Sequence, residues 1–299
     1  NDLFTCPIRL GFVKENGGWK MLYNQLNFLA HDLGWKIGAG DVARWDRSVQ
    51  PWAMIHAARF RVLSFKPGPS SSWEFSVRLS NLYMNVVFTA LLLPNGQVVY
   101  KVLGMPSGVI LTSDDNSLVH LMVWVCMWRE FTHLGMEEMG QNVVLHLYAD
   151  DHIFAISPRF AHLFTFQARS EYYKLWGFTL KLEDDRFQDK VEGITFLGFT
   201  FDKKGDPFFS RDRALASMAI SAELSDPKEQ AAKIVSLMTI CCFDEPMYDL
   251  LDQYLRVFLV DKGLFFAAPS RRALINFWNG NECPAADMNS RDKSFFGSF

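Results

Sequence analysis

No run of apolar residues in this chain is long enough to cross a bilayer. The longest, such as residues 119–128, stop well short of the ~18 that a span needs, and no signal-peptide pattern opens the chain. Cysteine is sparse: Cys6, Cys126, Cys241, Cys242 and Cys283 make an odd number with no CxxC spacing. That argues against a disulfide framework or a zinc site and fits a reducing compartment. Repeats are absent, as is low complexity ahead of the C-terminus. A basic excess is lacking too. The net charge of −3 gives no support to binding along a phosphate backbone. What the sequence does have is apolar and aromatic bulk. A hydrophobic share of 49%, with 27 Phe and 9 Trp, describes a globular chain and excludes a disordered one. At 299 residues it holds one large domain or two ordinary ones with a substantial core.

The local patterns predict an α+β chain. Residues 35–42 read as a short strand interrupted by glycines, followed by a turn and a helix opening at Pro51, with Asp46 or Ser48 available to cap it. Apolar runs around Asn95-Gly96 predict a hairpin. A glycine-flanked loop at 104–108 then feeds a long helix over 109–131. Two apolar runs, 142–148 and 152–156, flank an acidic tip and predict a second hairpin. A helix over 160–176, a strand over 178–182 and another over 194–201 complete the sheet region. Beyond Gly205 the texture becomes helical. Asp226-Pro227-Lys228-Glu229 is a capping box, Asp244-Glu245-Pro246 opens a further helix ended by Gly263, and Ser270 caps a last one. The tail over 281–299 carries the polar composition of a flexible end.

Four segments hold residues suited to chemistry, and each alone has an ordinary reading. Asp41 and Asp46 lie five positions apart around a turn, where aspartates commonly serve as caps; the turn can also return both to one cleft. Ser107 and Gly108 sit in a loop at a helix start, where free backbone amides suit a phosphate or sugar. Thr112 and Asn116, four apart, share a helix face, while Asp114 and Asp115 are expected to face solvent or favour the helix dipole. Asp150 and Asp151 stand side by side at the acidic tip between strongly apolar runs. Such a pair is solvated, or it is compensated by a hard divalent cation such as Mg²⁺. Last come Lys181 and the strand segment Phe196-Leu197-Gly198.

In order and spacing these segments resemble the palm motifs of viral RNA-dependent RNA polymerases. D-x4-D is met by Asp41 and Asp46, SG-x3-T-x3-N by Ser107, Gly108, Thr112 and Asn116, and the aspartate hairpin by Asp150 and Asp151. The resemblance covers roughly residues 10–201 and looks most like astrovirus-like and related positive-strand polymerases. It implies a polymerase palm with a central antiparallel sheet flanked by helices over 37–205, including a fingers-side hairpin insertion near 66–103. A small helical thumb over 206–280 would follow, with 1–36 as a lead-in from the fingers. It further implies a two-metal nucleotidyl transfer that uses Mg²⁺, with Mn²⁺ as a substitute. Asp41, Asp150 and Asp151 would hold the ions and Lys181 would donate a proton, with Lys174 and Lys190 as rivals. Asp46 and Asn116, supported by Ser107 and Thr112, would read the ribose. Phe196, Leu197 and Gly198 would form the primer grip, and Arg211, Arg213, Arg256 or Lys233 would reach RNA from the thumb. The implied partners are template and nascent RNA and nucleoside triphosphates, in a replication complex of the host cytoplasm.

Two features depart from that pattern. Ala149 stands where most positive-strand polymerases carry glycine, which brings a Cβ to a tip that favours positive φ. Only about 40 residues precede Asp41, too few for a full fingers region. With Asn1 as the first residue, this fits the later part of a longer polyprotein, or a polymerase whose fingers lie on another chain. A reverse transcriptase is the nearest rival, because Tyr148-Ala149-Asp150-Asp151 is familiar from that family. Asp46 argues against it, since a bulky aromatic normally fills that position there. A palm that only scaffolds a replication complex is the non-enzymatic alternative.

Overall fold

The structure is a computed structural model, and it describes residues 6–9, 11–64, 72–105, 111–181, 187–221, 226–265 and 268–281. The chain forms two compact units. One comprises Asn1–Gly11 and Leu29–Asp189, the other Phe12–Phe28 and Lys190–Phe299. The first division after the sheet region thus falls at Asp189, ahead of the Gly205 boundary expected from sequence texture. Helix α1 (Gly18–His31) runs across the junction at Phe28.

In the first unit, strands β1 (Lys36–Gly40) and β2 (Val42–Ala43) bracket Asp41. Helices α2 (Trp45–Ser48), α3 (Pro51–Ser64) and α4 (Ser72–Val87) follow, then the hairpin of β3 (Ala90–Leu92) and β4 (Val98–Tyr100). Next come α5 (Thr112–Thr132), α6 (Met136–Asn142), the hairpin of β5 (Val143–Tyr148) and β6 (Asp151–Ile156), α7 (Pro158–Ala161), α8 (Phe166–Leu175) and β7 (Thr179–Leu180). The main sheet is antiparallel in the order β1-β6-β5, and β2 pairs separately with β7. Register sets Gly40 opposite His152 and Tyr148 opposite Asp151. The two strand glycines have a packing reason. A Cβ at Gly38 would lie 2.4 Å from the Phe154 ring and one at Gly40 2.7 Å from the His152 ring, so the bulky β6 side chains need bare backbone opposite them.

Helix α5 supplies the core of this unit. Val119, Val123, Trp124, Met127 and Trp128 are fully buried along one side. Trp124 packs on Phe154 at 4.7 Å between ring centroids, and Trp128 on Phe160 at 4.9 Å. The helix expected over 160–176 is two helices, because Thr165 accepts a hydrogen bond from the Ala168 N–H at 3.3 Å and starts α8 afresh. The β3–β4 hairpin forms where Asn95-Gly96 predicts it, with Gly96 at φ 84. Asp115 is a correction. It is buried, not solvent-facing: Arg61 Nε and Nη2 donate to its Oδ1 at 2.8 and 2.7 Å, and the Tyr83 hydroxyl donates to Oδ2 at 2.7 Å. These bonds tie α3 and α4 to the first turn of α5.

In the second unit, β8 (Thr195–Phe196), β9 (Phe199–Phe201) and β10 (Pro207–Phe209) form a sheet in the order β10-β9-β8. The strand expected over 194–201 therefore folds back on itself. Leu197 and Gly198 take φ 50 and 79 and make a two-residue hairpin turn. Helices α9 (Arg211–Ser221), α10 (Pro227–Ile240), α11 (Glu245–Asp261) and α12 (Arg271–Asn279) complete the unit. Three of them start at the predicted caps, Asp226, Asp244 and Ser270. The core centres on Trp19, stacked on Phe201 at 4.2 Å, and on Trp278, whose ring meets Phe199 at 5.5 Å. Among the described residues no helix is long and apolar enough to cross a membrane.

Candidate active site

Asp41 ends up beside Lys181 for a backbone reason. The β2–β7 ladder is extended by a hydrogen bond from the Lys181 N–H to the Asp41 carbonyl at 2.9 Å, and the Lys181 ammonium then pairs with Asp41 Oδ2. Of the three lysines considered, Lys181 is the one at the carboxylate. The pair raises its basicity, through the Asp41 hydrogen bond first and the charges of Asp150 and Asp151 behind it.

Asp150 occupies the tip of the β5–β6 hairpin, across the sheet end from Asp41. Burial pushes its carboxyl up from the usual aspartate range. The like charges of Asp41 and Asp46 add to that rise, whereas its own backbone N–H and Lys181 work against it. Like charges act over a few ångströms, so the residues 41, 46, 150 and 181 share one electrostatic neighbourhood. Asp46 is exposed at the start of α2, just after Arg44 at φ 53. Its carbonyl accepts from the Met105 N–H at 2.8 Å, and a Cβ on Gly104 would meet that same carbonyl at 2.4 Å. The backbone at Gly104 and Met105 thus docks directly on the turn that carries Asp46.

On α5, Thr112 is half-buried and Asn116 buried, and among the described residues the Asn116 Oδ1 has no hydrogen-bond partner. Ser107 and Gly108 lie outside the described residues. Phe196, Leu197 and Gly198 form the hairpin turn of the second unit, where Arg213 Nη1 lies 3.7 Å from the position of a Cβ on Gly198. Arg211 and Arg256 are engaged in ion pairs with Asp244 at 2.5 Å and Asp252 at 2.8 Å.

Ala149 takes φ 55 in spite of its Cβ, a conformation that costs roughly 1–2 kcal/mol. Side chains unforeseen from the sequence hold it there. Its N–H donates to Ser117 Oγ at 2.8 Å, and its carbonyl lies 3.0 Å from His120 Nδ1, whose Nε2 lies 2.7 Å from the Tyr173 hydroxyl. Burial lowers the His120 pKa to about 4, so the ring is neutral. The available signal was His120, a polar residue inside the apolar stretch of the helix that follows Ser117.

Among the described residues no three His, Cys, Asp or Glu side chains converge to cage a metal. The donor set nevertheless fits Mg²⁺, which is bound by one or two carboxylates with water and substrate phosphates completing its octahedron. Asp41 and Asp150 are hard oxygen donors, and their mutual repulsion is what a cation would relieve.

The first unit is thus an α+β body that gathers two aspartates and a lysine at one sheet end. The family model described as viral RNA-dependent RNA polymerase matches residues 1–230, and the chain belongs to that family. It is 30% identical over 236 residues to the genome polyprotein of Tobacco vein mottling virus, covering 78% of this chain and 7% of the polyprotein. The genome polyprotein of Plum pox potyvirus (strain Rankovic) is 27% identical over 234 residues, with 71% and 7% covered. A solved Sicinivirus 3Dpol RNA dependent RNA polymerase shares the fold with a TM-score of 0.68 at 14% identity, covering 91% of this chain and 55% of that one. The chain therefore spans a small part of its polyprotein relatives and about half of that polymerase.

Proposed function

We propose that this chain is the palm and thumb of a viral RNA-directed RNA polymerase, acting in viral RNA replication. Its substrates are nucleoside triphosphates, an RNA template and the nascent RNA, and the fingers are supplied by polypeptide outside these residues. The observation that carries the reading is the convergence of Asp41, Asp150 and Lys181 at one end of the sheet in a chain of this family. We assign 37–205 to the palm, 206–280 to the thumb, and Phe196–Gly198 to the support of the primer strand. Replication in the host cytoplasm is the setting this reading implies.

Phosphoryl transfer asks a protein for positioning and charge neutralisation more than for covalent chemistry. Asp41 and Asp150 would hold two Mg²⁺ ions, or Mn²⁺ in their place, with Asp151 assisting. When bound, the ions supply activation of the primer 3′-hydroxyl and stabilisation of the leaving pyrophosphate. Lys181, paired with Asp41, would give its proton to the pyrophosphate oxygen. Asp46 can accept the proton of a ribose 2′-hydroxyl, and the Asn116 amide can donate to the hydroxyl oxygen in return. Ser107 and Thr112 support that pair.

Deoxynucleotides lack the hydroxyl, so they would leave Asp46 and Asn116 without their partner. In the complete polymerase containing this chain, Asp46→Ala is expected to reduce the preference for ribonucleotides by on the order of 100-fold, with the loss in kcat/KM falling on the ribonucleotide. Single-nucleotide extension on an RNA primer–template measures it. Preferential use of deoxynucleotides by the unaltered enzyme would reverse the assignment.

A further inference from the structure

Ala149 immediately precedes Asp150, and both of its backbone polar groups are held by side chains from one helix. Ser117 and His120, fully buried and three residues apart on α5, bind its N–H and its carbonyl at 2.8 and 3.0 Å. A carbonyl only accepts, so the proton of His120 sits on Nδ1. In the neutral ring Nε2 then carries the lone pair, and the Tyr173 hydroxyl donates to it at 2.7 Å. The hydrogen bond from α8 thereby fixes the tautomer that grips the tip. The same ring packs against Trp45, the neighbour of Asp46, at 5.0 Å, and against His152, the neighbour of Asp151, at 4.8 Å. One buried imidazole thus touches the segments that carry Asp46, Asp150 and Asp151.

We infer that His120 is a positioning residue for Asp150: by donating to the Ala149 carbonyl it sets the direction in which the hairpin tip presents its metal-binding carboxylate, with Ser117 and Tyr173 as its partners. This rests on the reading of Asp150 as a metal ligand. A histidine that merely filled the core would need only its volume, and any apolar ring would replace it. A positioning histidine needs the donor, and an asparagine amide can place a nitrogen where Nδ1 stands.

Mn²⁺ titration of the 299-residue chain, read by electron paramagnetic resonance of the free ion, separates the two. His120→Phe is expected to weaken the Mn²⁺ Kd by about 10-fold, the scale of losing a group that orients a metal ligand, while His120→Asn stays within about 3-fold of the unaltered chain. Thermal melting run alongside checks that each variant is folded. Should the Phe variant fail to fold, Ser117→Ala, which leaves the ring in place and frees the Ala149 N–H, is expected to weaken Mn²⁺ binding in the same direction. A Kd unchanged in His120→Phe, or weakened equally in the Phe and Asn variants, overturns the inference. Mn²⁺ uptake that ignores Asp150→Asn would instead remove the metal-ligand reading, and the inference with it.

Discussion

Asp150→Asn is expected to abolish nucleotide incorporation by the complete polymerase, lowering kcat by about three orders of magnitude or more while leaving the chain folded. A metal ion at the reacting phosphate would be worth several kcal/mol of transition-state stabilisation, Asp150 would hold it, and each 1.4 kcal/mol or so is a tenfold change in rate. The amide keeps the shape of the carboxylate, so packing at the tip is preserved. Stability should even rise slightly. Burial and the charges of Asp41 and Asp46 make the ionised form of Asp150 costly in the folded chain, and the amide removes that cost. A variant that gains melting temperature as it loses turnover would separate catalysis from structure. Equal losses of both would mean that Asp150 holds the hairpin together and does no chemistry.

Arg61→Leu should give the largest loss of stability. Asp115 is 1% exposed, and the guanidinium and the Tyr83 hydroxyl are its partners from α3 and α4. Removing the cation strands a buried charge, which costs about 3–5 kcal/mol. The penalty depends on pH with a definite sign. Burial already holds the Asp115 carboxyl above its ordinary 3.8, against the opposing hydrogen bonds of Tyr83 and Arg61; without Arg61 it rises further. A carboxyl raised in the folded state adds stability below its unfolded value and loses it as the pH climbs through the folded one. The gap in melting temperature between wild type and variant should therefore be narrowest in acid, where the carboxyl is protonated in both, and widen as the pH climbs through the folded values. A gap independent of pH would assign the loss to the packing of the arginine stem.

The part of the site built from local signals could be read in the sequence. Two apolar runs around an acidic tip predict the β5–β6 hairpin, and three helix caps in the second unit fall where Asp226, Asp244 and Ser270 predict them. What was illegible is what depends on partners far along the chain. Asp115 reads as a helix-dipole residue because Tyr83 and Arg61 lie 32 and 54 positions away. Residues 194–201 read as one strand because an apolar run hides a turn, and only the positive φ of Leu197 and Gly198 reveals it. Ala149 looked unsuited to its tip for a related reason. The strain is local, whereas the bonds from Ser117 and His120 that offset it come from about thirty residues upstream.

The central claim is that Asp41 and Asp150 together hold a divalent cation. Anomalous diffraction at the manganese edge, from crystals of this chain soaked in Mn²⁺, tests it with the least intervening inference. A peak is expected within coordinating distance of oxygens from both carboxylates, with the Lys181 ammonium displaced from Asp41. Manganese bound elsewhere, with the Asp41–Lys181 ion pair intact and no peak between the two aspartates, would contradict it.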